Sequence, residues 1–142
     1  MDKLLLNKKI LIVEDVLLSL KMISNFLKKE GFINLHEYTE SAEAWEFFAE
    51  SQLSDEPVDL VLTDLNMPGL DGMDLVRNIK SDVMTEGVKI IIISADHDPL
   101  VIDEAMESGA DEYITKPVGF DQLLEKIDFV FNVLPKLKKE KV

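Results

Sequence analysis

The segment VDLVLTDLNMPGLDG, residues 58–72, decides how the rest of the chain is interpreted. Its apolar run ends abruptly at Thr63 and Asp64, and a Pro-Gly turn follows at once. A short apolar run bounded by turn residues predicts a strand that is buried on both faces of a sheet. Asp64 then lies at the carboxyl end of that strand, where open α/β sheets bind their ligands. From this segment alone, the carboxylate could be a cap, a metal ligand or a nucleophile.

Length and composition limit the possible functions. A chain of 142 residues, 46% of them hydrophobic, suits one domain with a sizeable core. The net charge of -13 opposes nucleic-acid phosphates, so direct nucleic-acid binding is not expected. The absence of cysteine excludes disulfides and thiolate metal sites. The start, MDKLLLNKK, is too short in its apolar part for a signal peptide or membrane span, so we expect a cytoplasmic protein without membrane contact.

Strand and helix signals alternate five times along the chain. Each β-branched or apolar run is followed by a segment with apolar residues at helical spacing. Five such units with short connections predict an α/β fold: a doubly wound, five-stranded parallel sheet flanked by helices on both faces. The predicted strands are 8–14, 32–38, 58–63, 88–93 and 112–115, and the predicted helices are 16–30, 39–50, 72–82, 99–108 and 120–134.

Some apolar residues exceed what the predicted inner helix faces need. Leu17 and Leu18, at the start of the first helix, either contact a partner or pack within the chain. A second group lies outside the inner faces of the later helices, and it either broadens the core or binds a partner or a second copy. Its members are Val101, Leu123, Val130 and Val133. The expected inner face of the last helix is Phe120, Leu124, Ile127, Phe131 and Leu134.

Polar side chains follow four of the five predicted strands. Because parallel strands end at the same edge of a sheet, Glu14, Asp15 and Asp64 should converge there with Ser94 and Lys116. Carboxylates packed this closely repel each other, which raises their pKa values unless a cation enters. Mg²⁺ suits such oxygen ligands together with a phosphate. The chemistry that uses all these groups is phosphoryl transfer to an aspartate carboxylate.

Four segments carry a resemblance to a known family: VEDV (13–16), TDLNMPGLDG (63–72), ISA (93–95) and SGADEYITKP (108–117). With them, the chain from about residue 8 to 134 resembles the CheY-like response-regulator receiver domain of two-component signal transduction. The resemblance implies a flavodoxin-like strand order of 2-1-3-4-5 and a single receiver domain over 1–142, with a short basic tail at 135–142. Because only that tail follows the last helix, we expect a stand-alone regulator or phosphorelay shuttle.

The resemblance also implies a phosphoacceptor and a metal site. Asp64 would accept a phosphoryl group from a histidine kinase or a histidine phosphotransfer protein. The reaction would require Mg²⁺ or Mn²⁺, bound by Asp15, Asp64 and the backbone carbonyl of Asn66. Glu14 would hold a metal-bound water molecule. It replaces the commoner first Asp of the family and keeps the chemistry.

Further implied roles concern the phosphoryl group and the response to it. Lys116 and Ser94 would contact the phosphoryl oxygens, with Ser94 standing where Thr is commoner. Ser94 and Tyr113 would form a switch, in which Tyr113 turns from solvent toward the core and alters binding of a downstream protein. The Lys116–Pro117 peptide bond would be cis. The protein would be a monomer or a weak, phosphorylation-dependent dimer.

Two other classes of protein remain as alternatives. A haloacid-dehalogenase-type phosphatase also uses an aspartate nucleophile with Mg²⁺, but it needs a second Asp two positions later, where this chain has Asn66. A receiver-like binding module that no longer takes phosphate would have lost site residues, and all are present here. We therefore expect a signalling protein that catalyses only its own phosphorylation and dephosphorylation, not an enzyme with a separate substrate.

Overall fold

A computed structural model describes residues 2–69 and 71–140. Its centre is a five-stranded parallel sheet with the order β2-β1-β3-β4-β5, so the predicted fold and strand order are confirmed. The strands are β1 (Ile10–Val13), β2 (Leu35–Tyr38), β3 (Leu60–Thr63), β4 (Lys89–Ser94) and β5 (Glu112–Thr115). The helices are α1 (Lys3–Leu6), α2 (Leu17–Glu30), α3 (Ser41–Gln52), α4 (Gly72–Lys80), α5 (Pro99–Ser108), α6 (Phe120–Asp128) and α7 (Leu134–Glu140).

The three inner strands carry the most continuous apolar sequences. All residues of β1 and β3, and all but the first of β4, are buried, because helices cover both faces of the sheet. The edge strands β2 and β5 are mostly half-buried, which matches their weaker apolar patterns. Two apolar layers result, one on each face of the sheet. The polar residues that end the strands therefore stand on a rigid scaffold.

Helix boundaries follow recognisable signals at two places. The Asp98 carboxylate accepts a hydrogen bond from the Leu100 N–H at 3.0 Å and caps α5, with Pro99 in the first turn. Helix α2 ends at Gly31, whose φ of 106° is a left-handed conformation that side chains disfavour. Both boundaries agree with the sequence prediction.

The expected inner face of the last long helix is shifted by one position. Leu123, Ile127 and Val130 are fully buried, while Leu124 and Phe131 are half-buried against the same layer. Phe120 is also half-buried, and its ring stacks on Phe26 at the edge of that layer. The expected and the observed series both have helical spacing and both contain Ile127, so spacing alone does not distinguish them. The burial of Leu123 and Val130 shows which series faces the sheet. Leu123 and Val130 are therefore core residues and not a binding face. Val101 also packs against the core, whereas Val133 is 39% exposed.

The basic tail from residue 135 is helical as far as Glu140, which was not predicted, but its lysines Lys136, Lys138 and Lys139 are exposed, as expected of a solvated end. After α6 the chain forms a π-helical segment, Phe129–Val133, and then continues as α7 to Glu140. Pro135 has no N–H, and in a regular helix its ring would clash with the carbonyl four residues earlier. The wider turn of the π-helical segment accommodates this residue. Lys141 and Val142, also part of the expected tail, lie outside the described residues.

The N-terminal segment forms a short helix that the sequence analysis did not predict. Asp2 caps α1 by accepting a hydrogen bond from the Leu4 N–H at 2.9 Å, and Leu5 is buried. Within residues 2–69 and 71–140, no helix is both long enough and apolar enough to cross a membrane.

Candidate functional site

Three carboxylates meet at the carboxyl edge of the sheet. Glu14 and Asp15 follow β1, and Asp64 follows β3, whose Thr63 pairs with Val13 in the neighbouring strand. One oxygen from each carboxylate lies within 4.8 Å of the others. Glu14 and Asp64 are buried, whereas Asp15 is exposed to solvent. The structure therefore brings the three acidic residues together at a site that is open on one side.

Lys116 extends into this cluster from the end of β5, the edge strand that lies two strands away from β3. It follows β5 and places its Nζ 2.8 Å from Asp64 Oδ2 and 3.1 Å from both carboxylate oxygens of Glu14. The peptide bond between Lys116 and Pro117 is cis, as the resemblance implies. The ammonium group is thus hydrogen-bonded to both buried carboxylates at once.

Burial and ion pairing act against each other in this cluster. Burial raises the pKa of Glu14, and the pull of Lys116 in the opposite direction does not cancel that rise. Burial lowers the pKa of Lys116, but its hydrogen bonds to Asp64 and Glu14 outweigh this effect and raise the pKa above its usual value. Lys116 therefore stays charged at neutral pH. One ammonium group faces three carboxylates, and this excess of acidic oxygens fits a hard divalent cation such as Mg²⁺.

The loop after Asp64 is held in place through its backbone. The Asn66 N–H donates to Asp64 Oδ1 at 3.2 Å, and the Thr63 hydroxyl donates to the Asp64 carbonyl at 2.9 Å. Gly72 opens α4 directly against this loop, and its N–H donates to the Leu65 carbonyl at 3.0 Å. Any Cβ on Gly72 would overlap the Asp64 carbonyl oxygen. No role was predicted for Gly72, although a glycine that starts a helix right after a turn is a signal of close backbone contact.

Ser94 and Tyr113 meet through the backbone of Asp96. Ser94 is fully buried at the end of β4, and its Oγ accepts a hydrogen bond from the Asp96 N–H at 3.2 Å. The Tyr113 hydroxyl donates to the Asp96 carbonyl at 2.6 Å, and burial raises the pKa of this tyrosine. The expectation that the Tyr113 ring faces solvent is therefore wrong for this structure. The ring is half-buried and packs against the apolar core, a position that we call inward.

A buried ion pair at the opposite edge of the sheet was missed. Lys80 Nζ lies 3.1 Å from Asp111 Oδ2 and also donates to the carbonyls of Glu86 and Val88 at 3.1 and 2.7 Å. Asp111 accepts the Ile90 N–H at 2.8 Å. This network fixes the segment that leads into β4. Nothing in the local pattern distinguishes Lys80 from an ordinary solvated lysine at a helix end.

Residues 10–128 match the sequence model of the response regulator receiver domain. The chain belongs to the response regulator receiver family. It is 34% identical over 128 residues to chemotaxis protein CheY-3 of Vibrio cholerae, covering 90% of this chain and 95% of that protein. It is 32% identical to chemotaxis protein CheY of Pseudomonas aeruginosa, covering 87% of this chain and 96% of the relative.

Solved receiver domains also share the fold. A receiver domain protein from Clostridium thermocellum superposes with a TM-score of 0.78 at 32% identity, over 92% of this chain and 98% of the other. A CheY-like receiver domain protein from Methanospirillum hungatei gives 0.74 at 28% identity, over 94% and 98%. Membership of this receiver family places the chain in two-component signalling. Receiver domains bind Mg²⁺ in an acidic pocket, and Glu14, Asp15 and Asp64 form such a cluster here.

Proposed function

We propose that Asp64 accepts a phosphoryl group from a histidine kinase or a histidine phosphotransfer protein in a Mg²⁺-dependent reaction. The observation that carries this proposal is the position of Lys116 Nζ, 2.8 Å from an Asp64 oxygen and inside a cluster of three carboxylates. If Asp64 were only a helix or loop cap, it would need neither the contact with Lys116 nor the neighbouring carboxylates of Glu14 and Asp15. A phosphoacceptor needs Lys116 because its product carries additional negative charge, and it needs the neighbouring carboxylates to bind the metal ion.

The transfer forms one bond and breaks one bond. An Asp64 carboxylate oxygen attacks phosphorus, the phosphorus–nitrogen bond of the phosphohistidine breaks, and its electron pair stays on the imidazole nitrogen, which takes a proton from water. An ionised carboxylate needs no general base for this step. The Lys116 ammonium would then donate to phosphoryl oxygens in place of carboxylate oxygens, so that it stays paired with negative charge.

The metal would be held on the open side of the cluster. We assign Asp15, Asp64 and the backbone carbonyl of Asn66 as its direct ligands, and Glu14 as the residue that holds a metal-bound water molecule. When bound, the divalent cation would neutralise charge on the transferring phosphoryl oxygens. The exposure of Asp15 supports this assignment because it leaves room for a cation and its remaining waters.

Phosphorylation would be communicated through Ser94 and Tyr113. The phosphoryl oxygens would attract the Ser94 hydroxyl, which at present accepts the Asp96 N–H. Tyr113 holds the carbonyl of the same residue, so a shift of Asp96 would alter the population of the inward ring. Helix α5 begins three residues after Asp96 and would carry the change to the surface that binds a downstream protein.

The phosphoryl donor would dock on an exposed apolar face of α2. Leu17 and Leu18 are 58% and 72% exposed, so the alternative that they pack within the chain is wrong. Beside them, a groove of about 440 Å³ is lined by Met22, Phe120 and Lys116, among others. This position would bring a donor imidazole next to the acceptor carboxylate, since Lys116 belongs to both the groove and the acidic cluster.

The two alternative functions find less support. Asn66 cannot serve as the general acid of a haloacid-dehalogenase-type phosphatase, and the family match covers 119 of the 142 residues (10–128). A module that no longer takes phosphate would not need the Lys116 contacts. We therefore propose that residues 1–142 act as one receiver domain that signals by contact, without turning over a separate substrate.

Incubation with acetyl phosphate and Mg²⁺ tests the proposal directly. Intact-mass analysis should show the gain of one phosphoryl group that is labile to hydroxylamine, as an acyl phosphate is. Asp64→Asn should abolish the gain, and Lys116→Ala should slow it. Asp121→Asn and Lys126→Ala make matching substitutions on α6 and should have no effect. A gain that persists in Asp64→Asn would refute the assignment of the acceptor.

A further inference from the structure

An open groove of about 350 Å³ lies at the edge of the sheet where β3 and β4 begin, opposite to the edge that carries Asp64. Its walls come from the end of α3, the segments that lead into β3 and β4, and the π-helical segment. We call it the edge groove, and its defining residues are Lys8, Gln52, Val58, Met84, Lys89 and Phe131.

Within the part of the chain that the structure describes, three nitrogen donors of the edge groove have no protein acceptor. Lys8 and Lys89 are half-buried, and within residues 2–69 and 71–140 neither forms an ion pair with a carboxylate. The Gln52 amide nitrogen is buried, and it has no hydrogen-bond partner in the described part of the chain. Asp59 also lines the groove, but one of its oxygens accepts the Lys9 N–H at 2.8 Å. Among the described residues that line the groove, the two lysines therefore outnumber the single carboxylate.

An acidic group would satisfy these donors. A buried donor without a partner is unfavourable, and hydrogen bonds to a carboxylate are stronger than neutral ones. Burial lowers the pKa of Lys89, and the nearby Asp111 carboxylate, which acts in the opposite direction, does not cancel this effect. The groove thus favours an anion, although the whole chain carries a net charge of -13.

The same groove also offers apolar contacts. The Phe131 ring lies 4.9 Å from Lys8 Nζ, and Val58 and Met84 line the groove with it. The π-helical segment that presents Phe131 is a rare form of backbone, which is often found at functional sites. A ligand that combines a carboxylate with an apolar group would use both kinds of surface.

The surroundings of the groove indicate a polypeptide ligand and not a small molecule. Val83 and Met84, in the segment before β4, are 78% and 84% exposed, and Leu53, next to Gln52, is 92% exposed. Exposed apolar residues that flank a groove extend its contact area beyond the size of a metabolite, as at protein interaction sites. Methionine adapts readily to a partner surface.

We propose that the edge groove binds a segment of a partner protein in which an acidic residue neighbours an apolar one. The carboxylate accepts hydrogen bonds from Lys8 and Lys89, and from Gln52 once its buried amide turns toward the groove, and the apolar side chain packs on Met84 and Phe131. This surface lies at the opposite edge from Asp64, so it is separate from the donor face on α2 and from the switch.

Peptide selection tests the proposal while the partner protein is still unidentified. A display library of random peptides of about eight residues is selected on the wild-type protein, and enriched peptides are measured by fluorescence anisotropy. Peptides that combine Asp or Glu with large apolar residues should be enriched. Their affinity should fall at least about tenfold in the double variant Lys8→Glu, Lys89→Glu and should weaken with salt.

Matched controls separate the groove from net charge. The double variant Lys3→Glu, Lys29→Glu makes the same charge change at exposed positions and should alter the affinity by less than about twofold. Thermal melting shows that each variant is folded, and Gln52→Leu tests the amide without changing charge. Asp64→Asn should bind the peptides normally, which separates this proposal from the proposed function.

Three outcomes would overturn the proposal. One is enrichment of peptides without acidic residues. Another is an equal loss of affinity in the control variant, which would show attraction by net charge alone. The third is self-association of the wild type in sedimentation experiments that the groove variant abolishes, because the groove would then bind a second copy of the chain.

Discussion

Gly72 lies directly against the carbonyl group of Asp64, so closely that no side chain fits between the start of α4 and the site. We predict that Gly72→Ala lowers the free energy of unfolding by about 1–3 kcal/mol, because the added methyl group must displace backbone. Urea denaturation measures this change. Gly87→Ala is the control, since a Cβ at Gly87 meets no atom within 4 Å. Equal effects of the two substitutions would contradict the proposed close contact.

Mg²⁺ should stabilise the folded protein. At ten times its dissociation constant, a ligand of the native state adds about 1.4 kcal/mol, which raises the melting temperature by about 4 °C in a domain of this size. Asp15→Asn should weaken this response, because it removes the exposed ligand of the cluster. Asp103→Asn, an exposed residue of α5, should leave it unchanged. A melting temperature that does not depend on Mg²⁺ would argue against the metal site.

The inward position of Tyr113 predicts how the switch responds. Beryllofluoride with Mg²⁺ should change the NMR signals of the Tyr113 ring and of residues 99–108, because both are linked to Asp96. Tyr113→Phe removes the hydroxyl that binds the Asp96 carbonyl and should reduce the response of α5. Tyr38→Phe is the control in β2. If fluorine NMR shows bound beryllofluoride while Tyr113 and α5 do not respond, the proposed switch is wrong.

The buried pair of Lys80 and Asp111 should contribute strongly to stability. Lys80→Met leaves the buried Asp111 carboxylate with only the more distant Lys138 ammonium, at 3.8 Å, and two backbone carbonyls without this donor, so we expect a loss of about 3 kcal/mol. Lys126→Met breaks the more exposed pair with Glu112 and should cost less than about 1 kcal/mol. Chemical denaturation of both variants makes the comparison. A smaller loss in Lys80→Met than in Lys126→Met would contradict it.

Stability should decrease as the pH falls from 7 to 5 because of His36. Burial and then nearby Lys9 lower the pKa of this histidine in the folded state, below the usual value of 6.5. As the pH falls, His36 therefore takes up a proton in the unfolded chain at a higher pH than in the folded chain. Protonation thus favours the unfolded state, and the stabilisation present above pH 6.5 is lost as the pH falls. His36→Gln should flatten the unfolding free energy over this range. His97→Gln, at an exposed position, should leave the slope unchanged, and equal slopes in all three proteins would refute the role of His36.

The sequence predicted the sheet and the position of the site well, because both depend on where apolar runs end. Each inner strand is a short apolar run, and the residue after it must lie at the carboxyl edge. The convergence of Glu14, Asp64 and Lys116 follows from that topology alone. The ligand roles assigned to Asp15, Asn66 and Ser94 stay predictions, since they concern groups that bind only in the presence of a cation or a phosphoryl group.

Other features could not be predicted from local patterns. The inner face of α6 depends on the rotation of the helix over the sheet, and two apolar series through Ile127 fit the sequence equally well. The inward ring of Tyr113 depends on the Asp96 carbonyl, which lies 17 residues away in the chain. The Lys80 network joins residues separated by 31 positions, and no periodicity reports such a contact.

Lys116 and Glu14 are 102 positions apart in the chain, yet their side chains are in direct contact. Closing so long a loop costs conformational entropy, which the pairing of the intervening strands offsets. During synthesis, Asp64 is present long before Lys116 has been made, so a nascent chain carries the acidic residues without their cation. The proposed phosphoacceptor site is therefore completed last. A truncated chain that lacks β5 would carry Asp64 without Lys116 and should not accept a phosphoryl group efficiently.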